Sequence, residues 1–533
     1  MVTGITLTPS SGTLVAIGGT LTLSATVTTN QGVSTTTPIA WTSSNPSVVS
    51  VAANAQSAIA TAVSAGSSIV TATAGGQSAT ANITVSLAPP AVSALVVSPA
   101  TLTILSGQSA PMVAVVRDAA GNTLTGRTIS WRSGDTTIAS VSAQGVVTAR
   151  TFGGPVGIIA TSEGISDTAL VTVQSPFITA VDIAVGERTA CAIEDGGIWC
   201  WGDNASGQRA TGTFVNNRVT TRVSSTERFV DIDGGAMHFC GQSSTNALWC
   251  WGFNGNGRLG DGTTTNRPEL TRVTGNLAVS AFAAGDASSC GLPPGGALLC
   301  WGNSFLGGLG TGTNQSVNAT PQVVAGGVSF SQIASSKSIE SRCGLTASGQ
   351  AWCWGNNSGA MLGDSGRVAT ITTPTRIIGN RLFKQIALGI SHTCALALDG
   401  QAICFGNNRY GQIGTDTMFN AQQRIPVPVS GSLRFTDIAA GAVHNCAVAT
   451  DGVLYCWGEN QYGQLGDGTL TNRSVPTPVD IDVRFTRVSA ANTNTCAIAV
   501  STIVYCWGQN IQGAAGNGGT AIVRSPSAVP RPQ

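Results

Sequence analysis

Gly441-Ala-Val-His444-Asn-Cys446-Ala-Val-Ala-Thr-Asp451-Gly452-Val-Leu-Tyr-Cys456-Trp457-Gly458-Glu-Asn460-Gln-Tyr-Gly-Gln-Leu-Gly-Asp-Gly-Thr469 sets two apolar runs around an Asp-Gly pair, with one cysteine in each run. The runs read as strands, and Asp451-Gly452 as the turn of a hairpin, because both residues tolerate the positive φ that such a turn needs. The unit recurs along the chain. All 14 cysteines fall into seven pairs: Cys191 with Cys200, Cys240 with Cys250, Cys290 with Cys300, Cys343 with Cys353, Cys394 with Cys404, Cys446 with Cys456, and Cys496 with Cys506. The separation within a pair is ten residues, or nine in the first, and the pairs repeat about every fifty residues. The second cysteine opens a Cys-Trp-Gly triplet, or Cys-Phe-Gly at Cys404. A fixed period of this length marks a repeat architecture, and two cysteines per repeat mark an oxidising compartment.

The hairpin also selects the disulfide pattern. Fourteen cysteines could pair in roughly 135,000 ways. A turn midway between the two cysteines of one repeat sets them opposite each other, with Cβ atoms ~4.5–5.5 Å apart, near what a disulfide needs. Seven bonds within repeats are therefore expected, each closing a loop worth roughly 2.5–3 kcal/mol in the chain-entropy model. The first hairpin is one residue shorter, so its turn must differ.

Each repeat opens with an apolar strand that ends in a small residue, as in Val181-Asp-Ile-Ala-Val-Gly186, Phe383-Lys-Gln-Ile-Ala-Leu-Gly389 and Phe435-Thr-Asp-Ile-Ala-Ala-Gly441. Seven repeats of three or four short strands make a seven-bladed β-propeller over residues 177–533. The stretch Ala442–Thr469 and its counterparts in the other repeats resemble the repeats of the regulator of chromosome condensation propeller family. The paired cysteines, the neutral charge and the lack of a basic tail set this chain apart from the eukaryotic members.

Residues 1–175 contain no cysteine and are rich in Thr, Ser, Val and Ala. They read as two similar halves of short alternating strands, 1–87 and 91–174, divided at Leu87-Ala-Pro-Pro90 and closed at Gln174-Ser-Pro176. Each half has one tryptophan, Trp41 or Trp131, expected as a buried anchor between two sheets. The halves resemble bacterial Ig-like domains of group 2, which implies spacers or stalks. The expected fold class is all-β: two Ig-like β-sandwiches, then a seven-bladed β-propeller with one disulfide per blade.

Composition narrows the function. Formal net charge is +1, 10% of residues are charged, and Lys337 and Lys384 are the only lysines. That leaves no electrostatic footprint for nucleic acid or an anionic membrane. No apolar run approaches eighteen residues, so no membrane-inserting helix is expected. Met1 to Leu7 has neither a basic nor an apolar leader region, which favours a trimmed chain.

Several motifs reduce to the repeat. Gly255-Asn-Gly257-Arg-Leu-Gly260 matches a dinucleotide fingerprint but has no following helix. Gly363-Asp-Ser365-Gly falls where repeat six has Gly466-Asp-Gly-Thr and is a repeat variant, not a nucleophile. His238, His392 and His444 lie two residues before a first cysteine, where other repeats have Thr189, Ser288, Ser341 and Asn494. This polar interchange suggests a hydrogen bond to backbone within the blade; the three histidines lie in different repeats and suggest no metal. The series Trp201, Trp251, Trp301, Trp354, Phe405, Trp457 and Trp507 is expected to fill the blade-to-blade interface, and Trp199, Trp249 and Trp352 to pack on one face of the blade. No cofactor pattern and no paired catalytic carboxylates stand out, so an enzyme is not expected.

Positions that vary between repeats are the better functional candidates. After Trp-Gly the loops carry Phe253, Phe305, Leu306, Arg409, Tyr410, Tyr462 and Ile511, and such apolar and aromatic residues with one Arg are typical of interface anchors. The expected function is non-catalytic recognition of an extracellular protein or polysaccharide by one propeller face, at the cell surface or outside it, with the Ig-like halves as spacer. A structural or adhesive surface element, with self-association, is the alternative. Nucleotide exchange and chromatin binding, which the resemblance to eukaryotic relatives implies, are set aside because seven disulfides do not persist in a reducing cytosol and no basic segment contacts nucleic acid. A non-reducing peptide map should recover seven bonds, each within one repeat; a single inter-repeat linkage would refute the hairpin argument.

Overall fold

The computed structural model describes residues 1–314, 317–366 and 368–532. They form two compact units, Met1–Gln174 and Ser175–Gln533.

In the first unit, strands Val2–Thr8, Thr20–Thr29, Ser57–Ala62 and Val49–Asn54 make one sheet, with Gly32–Ser34 also paired to Thr20–Thr29. Strands Ser11–Leu14, Gln77–Val85, Gly66–Ala74 and Ala40–Ser43 make another. Strict alternation turns Leu23, Ala25 and Val27 of one sheet and Val70, Ala72 and Ile83 of the other into a shared core. A separate core gathers Leu95, Val97, Ile158, Ala160 and Val171. Trp41 and Trp131 are half-buried at the margins of these cores, not enclosed between sheets. The reason is positional: Ala40–Ser43 and Ser130–Ser133 are edge strands, which cover an indole on one side only.

The second unit holds seven four-stranded antiparallel sheets, each of consecutive strands, from Asp182–Val185, Thr189–Glu194, Gly197–Gly202 and Asn217–Arg222 to Phe485–Ala491, Asn494–Ala499, Val504–Gly508 and Val523–Ala528. First strands adjoin one another around the ring and line a central channel. Second strands such as His392–Ala397 and Asn494–Ala499 are buried at every residue, because neighbouring blades cover both faces. That explains their apolar runs.

The strand register sets the two cysteines of every blade directly opposite each other: Cys191 faces Cys200, Cys240 faces Cys250, Cys290 faces Cys300, Cys343 faces Cys353, Cys394 faces Cys404, Cys446 faces Cys456, and Cys496 faces Cys506. Each opposed pair is bonded, with Cα atoms 4.1 Å apart, so all seven disulfides lie within blades as the hairpin argument requires. The shorter first hairpin, between Cys191 and Cys200, closes with a two-residue turn, Asp195 (φ 49°) and Gly196 (φ 74°). The longer turns carry one left-handed residue, as at Gly400 (φ 82°) and Gly452 (φ 82°).

One contact repeats around the ring. The indole N–H of each blade's tryptophan donates to a loop carbonyl of the preceding blade: Trp251 to Gln208 (2.9 Å), Trp301 to Arg258 (2.9 Å), Trp354 to Gly308 (3.1 Å), Trp457 to Gln412 (3.1 Å) and Trp507 to Gln464 (2.9 Å). Trp201 donates to Ala514 of the last blade (3.1 Å) and closes the circle. The residue before the first cysteine often shares that acceptor: Asn445 Nδ2 reaches Gln412 O (2.8 Å) and Thr495 Oγ1 reaches Gln464 O (2.9 Å). At Phe405 no indole is present, and Thr393 Oγ1 alone serves Met361 O (2.7 Å). The glycine after the tryptophan is obligatory: Gly458 has φ +107°, and a Cβ there would stand 2.5 Å from Val443 O.

The histidines stitch the same junctions. Nε2 of His238, His392 and His444 bonds a side chain of the next blade: Ser289 (2.7 Å), Asn445 (3.0 Å) and Thr495 (2.9 Å). The expectation of a backbone partner in the same blade is met at Thr189 and Ser341, which donate to Asp203 O (2.8 Å) and Asn356 O (2.7 Å). It fails at the histidines, whose longer imidazole spans the junction, and at Ser288 and Asn494, which donate to the Glu340 carboxylate and to Glu187 O (2.9 Å) of the next blade.

Closure uses seven complete blades together with the leading segment. Ile178 N donates to Val529 O (2.8 Å), Val504 N to Ile178 O (2.9 Å) and Ala180 N to Thr502 O (2.8 Å). In the second blade the chain that follows its outer strand plays this part, with Leu248 N donating to Leu277 O (2.9 Å) and Val279 N to Asn246 O (2.9 Å).

Removing the sole donor from a buried carbonyl costs about 1–3 kcal/mol, whereas losing one of two donors costs about 0.5–1.5 kcal/mol. Thr393→Val should therefore lower the denaturant midpoint more than Trp457→Phe. Burial also lowers the imidazole pKa of His392 to about 4 and of His444 to about 3. The unfolded chain protonates first, near pH ~6.5, so this stabilising contribution is whole above that pH and is lost as pH falls toward the folded values, about 1.4 kcal/mol per unit for each group. Burial raises the Asp182 and Asp286 carboxyls, which act in the opposite sense, so the comparison must be with a variant. His392→Asn, which copies Asn494, should lose less stability than the parent chain between pH 6.5 and about 4, read as unfolding midpoints.

Candidate binding face

In a four-stranded antiparallel blade the first–second and third–fourth connections leave from the same face. The loops singled out after Trp-Gly therefore form the outer rim of one propeller face, and the first–second loops surround the channel mouth inside it. An asparagine pins each rim loop. Asn460 Nδ2 donates to Asp467 Oδ1 (3.0 Å) and Thr469 O (3.2 Å), while its Oδ1 accepts from Leu465 N (3.0 Å). Asn204, Asn254, Asn357, Asn408 and Asn510 likewise accept from the amide five residues on. Asn357 also donates to Asp364 (3.1 Å), so Gly363-Asp-Ser365 takes the place of Gly466-Asp467 in its blade.

The third blade breaks this rule. Ser304 replaces the asparagine, and its hydroxyl donates to Thr313 O (3.3 Å). The loop turns through Leu306 in the left-handed region (φ 59°), as the asparagine-pinned loop of the seventh blade does through Gln512 (φ 63°), but here both residues are apolar, and Phe305 and Leu306 stand 54% and 42% exposed. A leucine there carries a backbone cost of order 1–2 kcal/mol.

The other candidates occupy equivalent stations. Ile511 and Tyr462 are exposed. Arg409 is exposed, with its guanidinium 5.5 Å from the centre of the half-buried Tyr410 ring. Phe253 is half-buried under the Arg258 guanidinium (4.6 Å) and against Gly255, and so packs within its own loop. The fold spreads these residues over five blades of one rim; the pairs it brings together are Phe305 with Leu306 and Arg409 with Tyr410.

Inside the rim lies a buried ionic network that repeat reading passed over. Glu340 accepts from Ala287 N (2.6 Å) and from the Ser288 hydroxyl, and pairs with Arg342 (3.3 Å). Arg342 donates to Ser288 Oγ (2.5 Å) and to Gly308 O, and Arg258 donates to Asp286 O (2.6 Å). Burial, reinforced by Glu340, pushes the Asp286 carboxyl up to about 6. The available signal was Arg342, an arginine where other blades place Ala190, Phe239, Ser289, Thr393, Asn445 and Thr495. Lys337, from the fourth blade, reaches across the channel to Asp233 of the second (3.4 Å) and Val185 O of the first (3.2 Å). The channel pocket beside it measures about 260 Å³. Among the described residues no group of three His, Cys, Asp or Glu could hold a metal ion, and no helix is long and apolar enough to cross a membrane.

Comparison with known proteins agrees with this architecture. Family models described as "Regulator of chromosome condensation (RCC1) repeat" match residues 246–292, 348–396, 399–448 and 451–498, and, in a second form, 180–208, 383–412 and 435–464. "Bacterial Ig-like domain (group 2)" matches residues 1–85. The ultraviolet-B receptor UVR8 of Arabidopsis thaliana is 34% identical over 122 residues, 23% of this chain and 28% of that protein. The RCC2 homolog of Xenopus laevis is 32% identical over 145 residues, 26% of this chain and 28% of the relative. The chain thus spans under a third of the length of these relatives. Among solved structures, human WBSCR16 aligns with TM-score 0.55 at 16% identity over 70% of this chain and 99% of that one. Prp20p of Saccharomyces cerevisiae aligns with TM-score 0.55 at 20% identity over 67% and 88%. At these identities the likeness shows the fold alone. The chain carries regulator of chromosome condensation repeats folded as a seven-bladed propeller, after a bacterial Ig-like domain of group 2 at residues 1–85.

Proposed function

We propose that this is a non-catalytic recognition protein of the cell surface or extracellular space, which binds a partner protein through the rim of its propeller, with the Ig-like region as spacer. The observation that carries the reading is the pair Phe305 and Leu306. This exposed apolar pair sits on a loop that lacks the asparagine pin of the other blades, and it places a leucine in the left-handed turn where the seventh blade has Gln512, which costs stability, as binding sites often do. The ring tolerates the change because its own contacts lie beneath the rim. Arg409, Tyr410, Tyr462 and Ile511 extend the same rim with the residue types of interface anchors. Propellers of this fold are recognition modules elsewhere: Prp20p of Saccharomyces cerevisiae binds Gsp1p and histones and forms a complex with Kap60. Seven disulfides and the bacterial Ig-like domain support an oxidising, extracellular setting.

Capture from the native secretome and cell envelope with the full chain should yield a specific protein partner. Paired substitution of Phe305→Ala and Leu306→Ala should weaken that binding about 30-fold, the effect of losing an anchor worth ~2 kcal/mol. Val181→Ser, on the opposite face, should leave it unchanged. Leu306→Gly separates the two roles: it should raise stability by about 1 kcal/mol by relieving the backbone while still lowering affinity. Capture through residues 1–174 alone, or equal binding by the doubly substituted Phe305 and Leu306 variant, would overturn the rim reading.

A further inference from the structure

The connections from the outer strand of one blade to the first strand of the next keep a strict length. Six positions lead from the buried Val or Ile of the outer strand to the apolar residue that opens the next blade: Val223 to Phe229, Val273 to Val279, Val324 to Phe330, Ile377 to Phe383, Val429 to Phe435 and Val479 to Phe485. Four residues into this connection, Leu277, Val328, Leu433 and Val483 pack on the core of their junctions. Two junctions place a charge at that station. Arg381 is one, and its guanidinium is tied down by Gln401 (2.8 Å). Glu227, between the first and second blades, is the other. There the missing cover leaves a groove of about 680 Å³, walled by Trp249, Leu270, Glu227, Glu269, Arg222 and Thr221.

Glu227, Glu269 and Arg222 have no side-chain hydrogen bond or ion pair among the described residues. The buried indole N–H of Trp249 has no hydrogen-bond partner among the described residues. Arg272 lies over the Trp249 ring at 4.9 Å. Glu227 and Glu269 of the groove wall are offset by Arg222 in the wall and by Arg272 on the indole beside it, so the surroundings carry no net charge, and the stacked Arg272 already takes a place that a ligand cation would use on the indole. Cationic and anionic ligands therefore gain little. A neutral ligand with apolar C–H faces and many hydroxyls gains most: its O–H groups donate to the carboxylates, its oxygens accept from Arg222, and its ring edges meet Trp249 and Leu270.

We propose that this inter-blade groove binds a short stretch of neutral carbohydrate. The site is separate from the Phe305–Leu306 rim and does not depend on the rim reading.

The full chain would be titrated with cellohexaose, xylohexaose, mannohexaose and chitohexaose, with octalysine and polygalacturonate as charged controls, read by calorimetry and tryptophan fluorescence. At least one neutral oligosaccharide should bind and perturb the emission. Glu227→Leu, which restores the apolar cover found at Leu277, should weaken binding at least about tenfold without lowering the unfolding midpoint. Trp249→Leu, which copies Leu299, should do the same, whereas the variant carrying both Phe305→Ala and Leu306→Ala should bind sugar normally. The proposal falls if none of the four neutral sugars binds, if Glu227→Leu and Trp249→Leu bind unchanged, or if octalysine or polygalacturonate binds through the groove in preference.

Discussion

The propeller depends on a hydrogen bond handed from blade to blade. Six indole N–H groups each reach a carbonyl in the preceding blade's rim loop, and Trp201 carries the chain of contacts across the closure to Ala514. Each bond is modest in water, but here donor and acceptor are both buried, so leaving either unmet costs the full desolvation of a polar group. The same contact sets the glycine pattern of the rim loop: a Cβ at Gly260 would stand 2.5 Å from Trp301 Nε1. The repeat motif is therefore the written form of one junction, with its donor, its acceptor loop and the glycine that lets them meet.

The disulfides act at another level. They lock each inner hairpin to itself and add nothing between blades, so the ring relies on the indole bonds, the histidine bridges and apolar packing for its cohesion. Junctions differ in how they achieve it. Phe405 gives up the indole donor and Thr393 supplies a hydroxyl. Arg342 and Glu340, at stations that are mostly uncharged in the other blades, build an ionic network that joins the loops of three blades. Burying such charges is tolerated because each finds several partners.

Positions that depart from the repeat divide by what compensates them. The Arg342–Glu340 departure is matched by new hydrogen bonds inside the ring, and Arg381 is matched by Gln401. The Ser304–Leu306 and Glu227 departures are not: one leaves an exposed apolar pair on a loop without its asparagine pin, the other an unfilled groove whose charges are unpaired among the described residues. Uncompensated departures in a repeat that is otherwise uniform are where selection for binding, not for folding, has a physical trace.

Much of this was legible in the residues. The cysteine spacing and the hairpin turn together determined seven blades and seven intra-blade bonds, from Cys191 with Cys200 to Cys496 with Cys506, because pairing across a tight turn is a local matter settled within about a dozen residues. Burial of the Trp series followed from its strict recurrence. Other features required the ring itself. That His238, His392 and His444 reach the next blade, that the leading segment at Ile178 completes the last one, that Lys337 crosses the channel, and that Glu227 opens a groove beside Trp249 all depend on residues far apart in the chain or in different blades. Local sequence determined each blade because its hydrogen bonds close within the repeat. The junctions, and with them both proposed sites, were decided only when closure of the ring brought distant side chains together.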